Sequence, residues 1–395
     1  MKWPIYKIND ICKVSGGKRL PKGHQFVDSK TKHPYIRITD MSFDSLSTDG
    51  LLYITEETFK HISRYTISKD DIYISIAGTI GYVGKIPEFI DGANLTENCA
   101  KLSEFSDEIN RDYLLYYLRS PRGNGELLVR KGGASQPKLA LERIKTVPVP
   151  VPPINIQSRI ANILSAYDDL IQNNQKQIKL LEEAAMRLYT EWFVNLRFPG
   201  HENTKIVDGV PEGWSLKKLI DIADITMGQS PKSEYYNDRQ QGLPFHQGVT
   251  NYGYRFVIDE TYSTSYTRIA EAGSILFSVR APVGRINITK NKIVIGRGLA
   301  AINHREGLQS FLFYMLKNRF YKDDLIGNGA IYASITKSAL HSQEFLIPSD
   351  DLANKFNSVA KSIDQQITNA DQQIILLKQA RDRLLPRLLS GEIEV

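Results

Sequence analysis

Between residues 111 and 145, eight Lys and Arg stand against three acids, interleaved with Tyr113, Tyr116 and Tyr117. Cations at that density neutralise phosphates, and a nearby Gln can hydrogen-bond an adenine edge in the major groove. The stretch RKGGASQPK (residues 130–138) concentrates such groups on a Gly-rich loop: Arg130, Lys131, Ser135, Gln136 and Lys138. Further candidates of this chemistry are Lys18, Arg19 and Arg37 in the first half. In the second half they are Gln229, Lys232, Tyr235, Arg255, Arg280, Arg297, Tyr332 and Lys337.

Catalytic constellations are missing from the same scan. The segment GTIGYVGK (78–85) is glycine-rich, but Ile86 follows the Lys and the spacing is not that of a phosphate loop. A tight strand–turn–strand is the expectation there. Neither G-x-S-x-G nor H-E-x-x-H occurs. The seven histidines (His24, His33, His61, His201, His246, His304 and His341) have no metal-ligand spacing with Cys12 or Cys99, so no metal site is expected. VPPIN (151–155) places its prolines where a helix starts, as helix entry favours.

The bulk properties fit a folded chain with a mildly basic surface. At 395 residues it can hold two or three domains with ordinary cores, and its net charge of +6 suits a polyanionic partner. Two cysteines without a CxxC argue against a disulfide framework and for a reducing cytoplasm. The first ten residues lack the apolar stretch of a signal peptide, and no run approaches the ~20 apolar residues of a membrane span, so no membrane role is expected.

The elements that must position these groups come twice. WPIYKINDICKVSGG from Trp3 resembles WSLKKLIDIADITMG from Trp214, matching Ile8 with Leu219, Asp10 with Asp221, Ile11 with Ile222 and Gly17 with Gly228. SIAGTIGYVGKI from Ser75 resembles SVRAPVGRINI from Ser278, pairing Gly81 with Gly284. Further on, Gly133-Ala134 pairs with Gly329-Ala330, Pro152 with Pro348 and Asp168 with Asp364. Two long units are not a solenoid; they read either as a gene duplication without functional meaning or as a pseudo-two-fold molecule, which would suit a ligand with its own approximate dyad such as duplex DNA. Within each unit, short runs rich in Ile, Val and Tyr read as strands. A helical piece, a loop, a Pro-ended extended segment and a long helix follow.

Each long helix, here called an arm, carries a narrow apolar stripe. In heptads from Ile160, positions a and d hold Ile160, Ile163, Tyr167, Leu170, Asn174, Gln177, Leu181, Ala184 and Leu188, with Ile171, Ile178 and Ala185 at e. The second arm places Phe356, Val359, Ile363, Gln366, Ala370, Gln373, Leu377, Ala380 and Leu384 at a and d, with Ile367 and Ile374 at e. A coiled-coil pair is expected, with Asn174 as the polar position that sets register. The Pro/Gly/Asn-rich segment after the first arm is short enough to favour antiparallel pairing. The expected division is a first α+β domain (1–152), a central helix (153–195), a linker (196–213), a second α+β domain (214–348) and a C-terminal helix (349–395).

The arms also carry a family resemblance. AYDDLIQNNQKQIKLLEEAAMRLYTEWFVNLRFPGHE resembles the central conserved region of specificity subunits of type I restriction-modification enzymes. LLKQARDRLLPRLLSGEIEV is similar to their C-terminal conserved region, and GASQPKLALERIKTVPVPVPP resembles the end of a target recognition domain. SVRAPVGRI and GRGLAAI resemble elements that recur within such domains. The resemblance implies an α+β chain in which two long antiparallel coiled-coil helices separate two similar target recognition domains. Each domain would read one half of a bipartite site in double-stranded DNA. It further implies no catalysis and no cofactor on this chain. Two methyltransferase subunits using S-adenosylmethionine on adenine, and restriction subunits using ATP and Mg, would supply the chemistry. One departure is that Ser135-Gln136-Pro137 is replaced by Ile331-Tyr332-Ala333 in the second half, which implies different half-sites and an asymmetric target. Two competing readings are a compact nuclease or methyltransferase with unfamiliar motifs, and a coiled-coil interaction protein without a DNA role.

Overall fold

The computed structural model describes residues 3–43, 46–133, 137–320 and 334–395. The chain divides into two compact units, Met1–Asn174 with Gln373–Val395, and Gln175–Gln372. Both arms contribute to both units.

In the first unit, Ile5–Lys7 pairs antiparallel with Pro148–Pro150. An antiparallel sheet then runs in the order Lys13–Gly16, Cys99–Ser103, Ile72–Ser75, Val83–Gly84. A second sheet has the order Leu52–Tyr53, Pro34–Ile36, Ala93–Leu95, Thr66–Ile67, its central pair parallel. Strand alternation divides the core. Ile72 and Ile74 join a cluster with Tyr113, Leu114 and Tyr117 of the helix Arg111–Arg119. Tyr73, between them, points the other way, into a cluster with Ile36, Leu95 and Cys99.

The second unit repeats this plan. Ser215–Lys218 pairs with Glu344–Ile347, and one sheet runs Ala223–Met227, Leu299–His304, Ile275–Ser278, Ile286–Ile288. The other adds one edge strand to the same order and also has a central parallel pair, Phe245 opposite Val294. Ile275 and Phe277 face one cluster and Leu276 the other.

Four of the residue pairs found by sequence repetition play the same structural part in both units. Asp10 accepts a hydrogen bond from the Lys7 amide at 2.9 Å, and Asp221 accepts one from Lys218 at 3.0 Å. Ser75 Oγ accepts from the Tyr82 amide and Ser278 Oγ from the Arg285 amide, both at 2.8 Å. Gly81 and Gly284, in those same turns, have φ of 98° and 88°, a conformation residues other than Gly rarely adopt. Gly17 and Gly228 are needed for close approach. A Cβ on Gly17 would lie 2.1 Å from the Thr96 carbonyl oxygen, and one on Gly228 2.1 Å from that of Gly296.

The arms are Ile154–Tyr189, continued by a π-helical turn Thr190–Val194, and Asp350–Ser390. Within the first unit, Ile160 and Leu164 share a cluster with Leu385, Leu388 and Leu389. Further along, Asp168 meets Arg381. Within the second unit, Glu182 and Asp364 are bound by one arginine, and Ala185 and Tyr189 cluster with Phe356 and Ala360. As one arm advances the other retreats, so the pairing is antiparallel inside each unit.

The phase of the stripe corrects the sequence expectation. Ile163, Leu170 and Val359, expected in the seam at d, are exposed, as are Gln177, Ala184, Gln366 and Gln373. The e positions Leu164, Ile171, Ile178, Ala185, Ala360 and Ile367 are buried instead, together with Ile160, Asn174, Phe356 and Ala370 at a. Leu181, Leu188, Ile363, Leu377 and Leu384, also at a, are partly buried. Positions a and e alternate by four and three residues where a and d alternate by three and four, so the periodicity holds and its origin moves four residues on, from Ile160 to Leu164. The segment expected as a linker is itself folded. It forms a hairpin of Ile206–Val207 and Val210–Pro211, and Phe198 is buried against Trp214 and Leu352.

Each domain is fastened to both arms by an acid–tyrosine–arginine cluster. Tyr116 donates to Asp168 at 2.8 Å, and Tyr314 donates to Asp364 at 2.8 Å. Burial, then the adjacent Asp168 carboxylate, pushes the Tyr116 phenol well up. At Tyr314 burial is again the main cause, partly opposed by Arg255 and reinforced by Asp364, so both phenols remain neutral donors. In the first unit Arg381 bonds Asp168 at 2.6 Å, with Arg119 at 3.7 Å. In the second, Arg255 is 3% exposed, reaches Glu182 at 3.0 Å and Asp364 at 2.5 Å, and lies 3.6 Å from the Phe313 ring centre. Lys317 also donates to Glu182, at 2.8 Å.

Arg255→Ala leaves two acids in a largely dry site short of their shared cation. It is expected to cost about 3–5 kcal/mol of stability, read by equilibrium denaturation of the full chain. Arg255→Lys should recover only part of the loss, because one ammonium cannot serve both carboxylates in a fork. A loss below about 1 kcal/mol, the scale of an exposed pair, would contradict the anchoring role.

Candidate nucleic-acid interface

In the first unit, the strand Lys13–Gly16 runs into Gly17, whose close approach to the neighbouring backbone turns the chain outward. Lys18 then donates its amide to the Leu95 carbonyl at 2.8 Å, and the Tyr35 hydroxyl donates to the Lys18 carbonyl at 2.7 Å. This pins the backbone and leaves the side chains of Lys18, Arg19 and Lys22 outside. The loop after the helix Pro121–Val129 returns to the same edge. Lys138 forms a bridge with Ala77, and the Leu139 amide donates to Ile76 at 2.9 Å.

The result is an open cleft of about 820 Å³. Lys18, Arg19, Lys22 and Lys138 line it with His61, Glu97 and the backbone of Gly16–Gly17. Lys18 lies 5.7 Å from the Tyr65 ring centre, and Arg19 pairs loosely with Glu97 at 3.3 Å while remaining 76% exposed. Four cations against one acid make a surface able to hold phosphates.

Arg37, Arg130 and Lys131 lie elsewhere. Arg37 is tied to Asp40 at 2.8 Å, and Arg130 is held by the Glu126 side chain and by the Glu126 carbonyl at 2.8 Å. Lys131 is exposed outside the cleft lining. Ser135, Gln136 and Tyr332 lie outside the described residues.

The second unit sets its candidates on the equivalent frame. The Gln229 amide donates to Ile295 at 3.0 Å as that of Lys18 does to Leu95. The Arg297 amide donates to Ser230 Oγ at 3.2 Å. Arg280 bridges Ser334 as Ala77 bridges Lys138. Gln229, Arg280 and Arg297 are exposed, as are Lys232, which stands 3.9 Å from Glu234, Tyr235, and Lys337 at the start of the helix Lys337–His341. Arg255 is the correction. Expected on a binding loop, it is instead buried in the arm anchor, because two arm carboxylates and an aromatic face surround it.

Lys22 and His61 escaped sequence reasoning. Lys22 belongs to a visible basic run, KRLPKGH, that follows the glycines. His61 reaches the cleft from a distant helix, and no local signal marks it.

This geometry has counterparts among known proteins. A family model described as "Type I restriction modification DNA specificity domain" matches residues 1–183 and 211–379. The chain is similar to the putative MjaX type I restriction enzyme specificity subunit of Methanocaldococcus jannaschii, with 30% identity covering 100% of this chain and 94% of that protein. The MjaIX specificity subunit of the same organism is 27% identical over the same shares. The crystal structure of a type I restriction-modification system S subunit from M. genitalium has the same fold, with a TM-score of 0.56 at 16% identity, covering 98% of this chain and 96% of that one. Duplicated domains, paired arms and these matches define a DNA-specificity class. The chain belongs to the specificity subunits of type I restriction-modification enzymes.

Replacing Lys18, Arg19, Lys22 and Lys138 by Gln should weaken binding of the full chain to duplex DNA. The slope of log K against log salt should fall by about 0.9 for each phosphate no longer neutralised. An unchanged slope in a salt titration would remove the cleft from the interface.

Proposed function

We propose that this chain reads a bipartite, asymmetric sequence in double-stranded DNA, one half through each domain, and that the arms set the distance between the halves. The carrying observation is one frame presented twice with different side chains. Lys18 stands where the second unit has Gln229, Glu97 where it has Arg297, and Ala77 where it has Arg280. An identical backbone frame favours the same approach to the groove, while different donors and acceptors favour different bases.

The chain acts as a recognition and scaffold subunit within a larger complex. Two methyltransferase subunits supply adenine methylation from S-adenosylmethionine, and restriction subunits supply ATP- and Mg-dependent cleavage. Exposed apolar residues on the arms, among them Leu170, Leu180 and Leu376, support docking of such partners. No described helix is long and apolar enough to cross a membrane. Cys12 and Cys99 are buried as free thiols, which supports a reducing cytoplasm.

A heptad added to both arms keeps the stripe in phase and lengthens each helix by about 10.5 Å, or roughly 3 base pairs of duplex. Mapping of methylated adenines in cells carrying the methyltransferase partner should then show the same half-sites farther apart by that amount. Unchanged spacing would refute the role of the arms. Disappearance of one half-site with the other retained would refute the two-domain reading of a single target.

A further inference from the structure

Three residues far apart in sequence converge beside the basic cleft, in the first unit. The turn at Pro21–Lys22–Gly23, with Gly23 at φ 88° and the His24 amide donating to Pro21 at 3.1 Å, presents the His24 ring. Glu57 and His61 stand four residues apart on the helix Glu56–Ile62, hence on one face of it. One ligating atom from each of His24, Glu57 and His61 lies within 4.8 Å of the other two. The two imidazole rings cross at 70° with centroids 5.1 Å apart.

A hydrogen-bond chain holds the first of these ligands. His24 Nδ1 is 2.8 Å from the hydroxyl of Thr58, a residue 2% exposed, and that hydroxyl is 3.0 Å from Thr55 Oγ1, which also accepts the Thr58 amide at 3.2 Å. If Thr58 donates to Thr55, its remaining lone pairs face Nδ1–H. That tautomer leaves Nε2 as the ligating nitrogen. An imidazole oriented through its other nitrogen is how metal-binding histidines are commonly prepared.

We infer that His24, Glu57 and His61 form a binding site for a zinc-class divalent ion. Two imidazoles and one carboxylate suit Zn²⁺, Co²⁺ or Ni²⁺ and not the all-oxygen shells of Ca²⁺ or Mg²⁺. Ligating atoms around tetrahedral Zn²⁺ lie about 3.3 Å apart. The exposed side chains of Glu57 and His61 can close the remaining distance by rotation. Three protein ligands leave one coordination position for water or a phosphate oxygen. Because His61 also lines the cleft, a bound ion adds positive charge to the surface formed by Lys18, Arg19, Lys22 and Lys138.

The inference does not rest on the DNA-reading proposal, and its test needs no DNA. Isothermal titration of the full chain with Zn²⁺ alone should show one ion bound in the wild type. The double variant His24→Ala/His61→Ala should bind none. Co²⁺ should give the visible absorption of a four-coordinate N/O site in the wild type only. The exposed substitution Glu57→Gln, which does not threaten folding, should weaken binding at least tenfold. Thr58→Val should weaken it by about tenfold through removal of the Nδ1 partner, while His201→Ala should change nothing. Absence of Zn²⁺ binding by the wild type, or equal affinity and stoichiometry in the Glu57→Gln and double variants, would overturn the site.

Discussion

Each recognition domain depends on a partly buried acid carried by an arm. Asp168 receives Tyr116 and Arg381, and Asp364 receives Tyr314 and Arg255. An arm carboxylate held largely out of water beside a domain is stabilised by pairing, since an unpaired charge there costs more than an exposed one. Pairing it with groups from the domain and from the rest of the unit makes one cooperative object out of sheet, helices and arms. The two clusters use the same Tyr–Asp bond but take their arginine from different places. Arg381 comes from the second arm, and Arg255 from a loop of the domain. Repetition preserved the acid and the phenol, and each half found its own cation.

The arms themselves illustrate how a polar helix can be a structural one. Their buried stripe is narrow, interrupted by Asn174, and flanked by exposed Gln and Lys. A stripe of that width suffices for one helical partner, leaving the remaining surface for water and for other subunits. Burial of Asn174 is compatible with a role in register, because a polar side chain in such a seam tolerates few alignments.

The sheets do a different job. Alternation along Ile72–Ser75 and Ile275–Ser278 commits each central strand to two cores at once. That leaves the strand ends and the connecting turns as the places where side chains can vary without disturbing the packing. The cleft residues sit there, on turns held by main-chain bonds such as Lys18 to Leu95 and Gln229 to Ile295. Side chains on those turns can therefore differ between halves while the frame does not.

Much of this was legible in the amino-acid sequence. The repeat, the α+β order of each half, the two arms and the glycines of the matching turns all follow from local pattern. Strand alternation, helix periodicity and backbone conformation are properties of neighbouring residues. The Lys18–Arg19 run was also visible, because it follows the glycines that turn it outward. Tertiary structure decided the rest. A heptad stripe with apolar residues at a, d and e does not say which pair faces the partner, and packing selected e over d at Ile171, Ile178 and Ile367. Arg255 looked like a surface cation until two acids, distant in sequence, closed around it. His61 joined His24 only through the fold. In each case the deciding term was burial or electrostatic pairing between residues far apart along the chain, and a single sequence carries no record of those distances.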